Sequence, residues 1–210
     1  MKYLTFKQKI ESFPVFSAGL ISSLEKDTGT LKVQLSNWKK RGLIDQPRKG
    51  LYVLGKEYRK IEPSLFYLAN QMYVPSYVSL ESALRFYGLI PEFVAQTTSV
   101  TTRNTSKFQN DFGNFSYQHL KPECFDGFTT LKDENNFSVL IANPEKAIVD
   151  FLYFNLSKFN SSNSDIFEES YRFQNCDELS KNRIKAYAKL FKSVKLNCIC
   201  DLFIKEVVIK

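Results

Sequence analysis

Few residues in this chain combine type and spacing in a way that suits catalysis. The only histidine, His119, lies in a strand-like stretch between Tyr117 and Pro122 with no cysteine or second histidine at ligand spacing, so no metal site is expected there. A packed or surface histidine is the simpler reading, with general-base work as its rival. Glu145 and Asp150 stand five apart on an expected helix, about 140° apart around its axis, which separates them instead of pairing them for acid–base work. Glu145 is instead expected to favour the helix N-terminus through the dipole. Cys198 and Cys200 would form a redox pair only in an extended segment, and helical core thiols are expected. No Gly-rich phosphate loop follows a strand and no Gly-x-Ser-x-Gly elbow occurs. These residues predict no enzyme, no cofactor and no metal.

A second set of residues suits recognition. Thr30 is expected to cap a helix running to about Arg41, with Gly42 at the position of a left-handed C-terminal cap. On it Leu31, Leu35 and Trp38 share one face, and the opposite face holds Lys32, Val33, Ser36, Asn37 and Lys40. Asn pairs bidentately with adenine and an outward Val touches a thymine methyl, while Lys and Arg neutralise phosphates. The reading therefore assigns DNA binding to Thr30, Lys32, Val33, Ser36, Asn37, Lys40 and Arg41, joined by Arg48 and Lys49 on a following hairpin.

The elements that must position these side chains begin with Tyr3 to Phe13, where Leu4, Phe6, Ile10 and Phe13 give an approximate helical period before Pro14. Ser17 is expected to cap a second helix, Ala18 to Glu25, and Asp27-Thr-Gly29 to form a turn. Leu43-Ile44, a polar tip from Asp45 to Gly50, and Leu51 to Leu54 predict a hairpin with Arg48 and Lys49 at its tip. Three helices and a hairpin predict a winged helix-turn-helix over residues 1–60, its third helix in the major groove. Charge points the same way. The 210 residues hold 29 Lys and Arg against 22 Asp and Glu, but residues 1–60 alone hold 13 against 5, so the entire positive excess lies there. Binding to a membrane surface would need that charge on one face of a single amphipathic helix, whereas here it spreads over several elements.

Residues 61–210 predict an α+β domain. Helices are expected from Pro63 to Tyr73, from Leu80 to Tyr87 with Ser79 as N-cap, and after Asn143-Pro144. Strands are expected at Thr97–Thr102, Asn114–Leu120, Phe128–Leu131 and Phe137–Ala142. Asn155 to Asp165 predicts a loop, and helical spacing returns from about 166 to Lys205. Composition is that of a globular chain, 43% hydrophobic and 24% charged, which excludes a disordered tail. The scattered cysteines predict reduced thiols, and the Lys- and Glu-interrupted N-terminus together with short apolar runs predicts a cytoplasmic protein with no membrane partner.

Several phrases together resemble the AbiEi-like antitoxins of type IV, abortive-infection toxin–antitoxin systems. They are Tyr77-Val-Ser-Leu-Glu-Ser-Ala-Leu-Arg-Phe-Tyr-Gly-Leu-Ile-Pro-Glu92, Ser99-Val-Thr-Thr-Arg103, Phe112-Gly-Asn-Phe115, Tyr117-Gln-His-Leu-Lys-Pro122 and Ala142-Asn-Pro-Glu-Lys-Ala-Ile-Val-Asp150. Arg41-Gly-Leu-Ile44 and Gly50-Leu-Tyr-Val-Leu54 look like the winged helix of the same family, and the resemblance covers roughly residues 5 to 155. It implies a transcriptional autorepressor on inverted repeats of its own promoter. Its second, antitoxin-type domain would counter a nucleotidyltransferase-like toxin encoded by the adjacent gene, through direct or indirect contact. The family transfers no catalytic residue. Arg103 and Lys107, cations beside a polar loop, would reach DNA or an acidic toxin surface, with a solvated loop as the plain alternative. The rival to the whole reading is a ligand-responsive winged-helix regulator without a toxin.

Overall fold

The computed structural model describes residues 2–24, 28–159, 167 and 171–208, and the chain is mixed α+β with two sheets. The first unit comprises α1 (Tyr3–Ile10), β1 (Phe16–Ser17), α2 (Ala18–Leu24), α3 (Thr28–Lys40), β2 (Ile44–Arg48) and β3 (Leu51–Leu54). Its strands form an antiparallel sheet in the order β1-β3-β2. The helices enclose a core of Phe6, Ile10, Ile21, Leu31, Leu35 and Trp38, closed by the sheet residues Phe16, Ile44 and Leu54. Phe6 stacks on Trp38 with ring centroids 4.6 Å apart and meets Phe16 edge-on at 5.6 Å. The expected apolar face of α1 is narrower than its sequence suggests. Phe6 and Ile10, four apart, are buried, whereas Leu4 and Phe13 are exposed and the helix stops at Ile10.

The second unit is built on a six-stranded mixed sheet in the order β6-β7-β5-β4-β9-β8. Its elements are α4 (Leu65–Met72), β4 (Ser76–Val78), α5 (Leu80–Phe86), β5 (Gln96–Thr101), β6 (Ser106–Asn110), β7 (Gly113–His119), β8 (Phe128–Lys132), β9 (Ser138–Ala142) and α6 (Pro144–Phe154). Two further helices, α7 (Lys181–Leu190) and α8 (Val194–Phe203), follow, with a π-helical turn at Ile204–Val208. On β5, Val100 pairs with Tyr77 and Ser99 with Tyr117, so these tyrosines point to opposite faces. The Tyr117 hydroxyl donates to the Ala69 carbonyl of α4 at 2.8 Å, and the Tyr77 hydroxyl to Asp150 of α6 at 3.1 Å. Helix α4 therefore covers one face and α6 the other.

All four expected strands of this sheet are present within a residue or two; β4 and β6 are additional. The C-terminal helices expected from about 166 to 205 are present at Lys181–Leu190 and Val194–Phe203, but the expected helical spacing begins too early. Residues 171–180 are irregular, with Arg172 and Asn175 at positive φ, and the segment is tied to the body by Gln174 N–H donating to the Leu89 carbonyl and Asn175 Nδ2 to the Gly88 carbonyl. The expected loop to Asp165 and the start at Ile166 fall largely outside the described residues.

One short strand is completed by a side chain. β4 meets β9 at a single pair, Val78 and Ile141, and beyond it the buried Asn70 amide of α4 donates to the Leu140 carbonyl at 3.2 Å and accepts from its N–H at 2.7 Å. Asn70→Ala is expected to lower stability by about 1–2 kcal/mol, because both backbone groups lose their partner. Urea unfolding reads this as a lower midpoint at unchanged slope.

Ser79 is the N-cap residue of α5 as expected, but its side chain makes no capping bond. Its hydroxyl donates to Asp150 Oδ2 at 2.8 Å, the same oxygen that accepts from Tyr77, while Lys146 Nζ contacts Oδ1; all four residues are fully buried. Glu145 is likewise more than a charge near the dipole of α6. It is buried, accepts from the Ser180 N–H at 3.1 Å and faces Arg183 at 3.6 Å, which ties α7 to α6.

Candidate nucleic-acid interface

Helix α3 begins at Thr28, so Thr30 sits in the first turn and not at the cap, and Thr28-Gly29 are helical where a turn was expected. Asp27 lies outside the described residues. The C-terminus is a Schellman cap. Gly42 takes φ +67°, its N–H donates to Lys39 O at 3.0 Å, and the Leu43 N–H donates to Trp38 O at 2.9 Å. Leu31, Leu35 and Trp38 are buried in the core, which fixes the rotation of the helix. Lys32, Val33, Ser36, Asn37, Lys40 and Arg41 are then all exposed on the side away from it, Val33 to 60%. Structure thus brings these six together with Thr30, also exposed, on one solvent face.

The hairpin differs from expectation. Strand β2 runs through to Arg48 with a register irregularity between Asp45 and Arg48 where Pro47, lacking an N–H, is buried. The turn is therefore only Lys49-Gly50, with Gly50 at φ +82°. Lys49 projects, exposed, but Arg48 turns inward. Its guanidinium lies 4.8 Å from the ring centroids of both Tyr73 and Phe108, and Nη1 donates to the Met72 carbonyl. The burial of Tyr117 pushes its phenol up, and the nearby Arg48 charge pulls against that rise. Beside this contact Asn110 Nδ2 donates to the Pro47 carbonyl at 3.1 Å. Arg48 thus joins the hairpin to the six-stranded unit, and its expected role on a phosphate is withdrawn. Periodicity could not reveal this, because the partners lie 24 or more residues away.

Arg48→Ala is expected to loosen the junction by about 1–2 kcal/mol without changing the salt dependence of DNA binding. Lys49→Ala is expected to reduce that salt slope by about one unit while leaving stability unchanged. Titrations of promoter DNA across a salt series, beside thermal unfolding, separate the two.

The other expected cations lie on the second unit. Arg103 and Lys107 are exposed; the Arg103 guanidinium lies 4.7 Å from the Tyr73 ring centroid, on the same ring that Arg48 uses. His119 is exposed with Nδ1 2.9 Å from the Arg103 carbonyl oxygen. The cysteines do not pair. Cys200 is buried and Cys198 exposed, two residues apart on α8, and burial pushes the Cys200 thiol up to about 12. The cluster that sequence reasoning missed is Lys146–Asp150–Tyr77–Ser79; the signal was present as Lys146 and Asp150 at i, i+4. Among the described residues no helix is long and apolar enough to cross a membrane.

A scan of the chain against protein-family models finds none that matches. A search of curated proteins finds no significant match.

Proposed function

We propose that the chain is an antitoxin and transcriptional autorepressor of an abortive-infection operon, whose N-terminal unit is a winged helix bound to double-stranded promoter DNA. The observation that carries this reading is the face of α3, where Lys32, Val33, Ser36, Asn37, Lys40 and Arg41 are exposed together over a buried apolar stripe. The order helix, strand, helix, helix and hairpin suits a recognition helix laid in the major groove with the Lys49 turn along the backbone. Ser36 and Asn37 read base edges, and Lys32, Lys40, Arg41 and Lys49 neutralise phosphates. Residues 61–210 form the antitoxin-type domain, which counters a nucleotidyltransferase-like toxin encoded next door, with Arg103 and Lys107 as its exposed cations. This domain is not catalytic in the reading. Lys146 and Asp150, its most unusual ionisable pair, are fully buried.

The test expresses the adjacent gene alone and then with this chain supplied from an independent promoter. Rescue of arrested growth is the expected result. Toxicity without rescue, or no toxicity, removes the antitoxin role, while binding to the chain's own upstream DNA is scored separately by gel shift.

A further inference from the structure

A cleft of about 1080 Å³ opens where β2, the connecting residues 56–63, α4, α5 and the strands β8 and β9 meet. Its floor is apolar, made by Leu65, Phe66, Phe86, Leu131, Val139 and Ile141. Phe86 and Leu65 are half exposed into it, and the Phe66 and Phe86 rings pack 5.9 Å apart. The rim carries five carboxylates, Asp45, Glu62, Asp111, Asp133 and Glu134, against Lys56, Arg59 and Lys132. In a chain of net charge +7 this is an acidic site.

Much of the rim is already committed. Arg59 Nε and Nη2 donate to the two Glu62 carboxylate oxygens at 2.6 and 2.8 Å, and Nη1 reaches Asp45 at 3.3 Å. Asp133 accepts from the Ser64 hydroxyl and from the N–H groups of Asn135 and Phe137. Lys132 donates to the Asn136 carbonyl and the Ser138 hydroxyl. Asp111 and Glu134, both exposed, have no partner among the described residues, and Lys56 is the base left to oppose them. Burial holds the Asp45 carboxyl above its usual value against the pull of Arg59, with the charges of Asp111 and Glu62 adding to the rise. A positive group entering here meets crowded carboxylates.

We propose that this cleft binds a small organic cation with a bulky apolar body, its charge at Asp111 and Glu134 and its body on Phe86 and Leu65. A volume at the upper end of ligand sites and a concave apolar floor with few polar groups suit a small molecule. The charge balance selects a cation over an anion of equal size. Asp45 belongs to β2, the strand that leads from α3 to Arg48, so the cleft is bordered by both the N-terminal unit and the body. The proposal goes beyond the promoter-binding reading and does not need it, because binding is measured without DNA.

The test titrates the full chain by calorimetry with tetraphenylphosphonium and, in parallel, with tetraphenylborate, an anion of the same shape. The expected result is one saturable site for the cation with Kd below about 1 mM, at least tenfold weaker for the anion. Asp111→Asn with Glu134→Gln, and separately Phe86→Ala, should each weaken the cation at least tenfold, with unchanged thermal unfolding. Absence of saturation, equal binding of the two ions, or indifference to both variants overturns the proposal. A Leu-Lys alternating peptide that binds more tightly than the cation, and loses binding in the same variants, overturns it in favour of a partner segment.

Discussion

Replacing Asp150 by alanine is expected to cost about 3–5 kcal/mol of folding stability, the largest effect of any single substitution considered for this chain. The reason is Lys146. Its ammonium is fully buried on α6, 4.9 Å from the Phe191 ring centroid, and the acid that balances it is Asp150, one turn away. Without Asp150 a charge stays in an apolar interior, and the Tyr77 and Ser79 hydroxyls lose their acceptor. Lys146→Met combined with Asp150→Asn removes both charges and keeps a carbonyl oxygen for the hydroxyls, so this double variant should recover most of the loss. Urea unfolding of the two variants decides the matter. If the double variant is as unstable as Asp150→Ala, the loss comes from packing and not from the stranded charge.

Asn37→Ala is expected to weaken binding to promoter DNA by roughly ten- to a hundredfold while leaving binding to unrelated DNA unchanged, because a bidentate contact to a base is worth about 1–3 kcal/mol. Asn37 is exposed and its side chain has no partner among the described residues, so the fold should not register the change. The measurement compares a promoter fragment with a scrambled one at fixed salt. An equal loss on both fragments would place Asn37 on a phosphate and move base reading to another residue of α3.

The elements carried by strong periodicity were legible. Leu31, Leu35 and Trp38 placed the polar face of α3 correctly because a helix buries one stripe and exposes the other whatever its partner. Gly42 marked its end for a local steric reason. The strands that escaped notice lack such a signature. β4 is three residues long and buried throughout, so it has no alternation to read, and β6 alternates but is polar because it lies at a sheet edge. The irregular stretch 171–180 before α7 hides behind helical spacing, since Arg172 and Asn175 take positive φ and the segment is held by Gln174 and Asn175 on Leu89 and Gly88, more than 80 residues away.

Side-chain function was legible only where it is local. Ser79 has the position of an N-cap, but a buried carboxylate from another helix claims its hydroxyl. Arg48 looks like a phosphate contact because it sits at the end of a hairpin in a basic segment, and only the tertiary fold shows that two aromatic rings of the other unit hold it.

That inward arginine also bears on cooperativity. The small aromatic core around Trp38 and the larger one under the six-stranded sheet meet at a junction where Arg48, Asn110 and Met72 interlock, and Val15 and Val53 of the first unit pack into the second core. These shared contacts are expected to make the two units melt together. Opening of the body would then release the hairpin as well, and thermal unfolding followed at Trp38 and by far-UV circular dichroism is expected to show a single coincident transition.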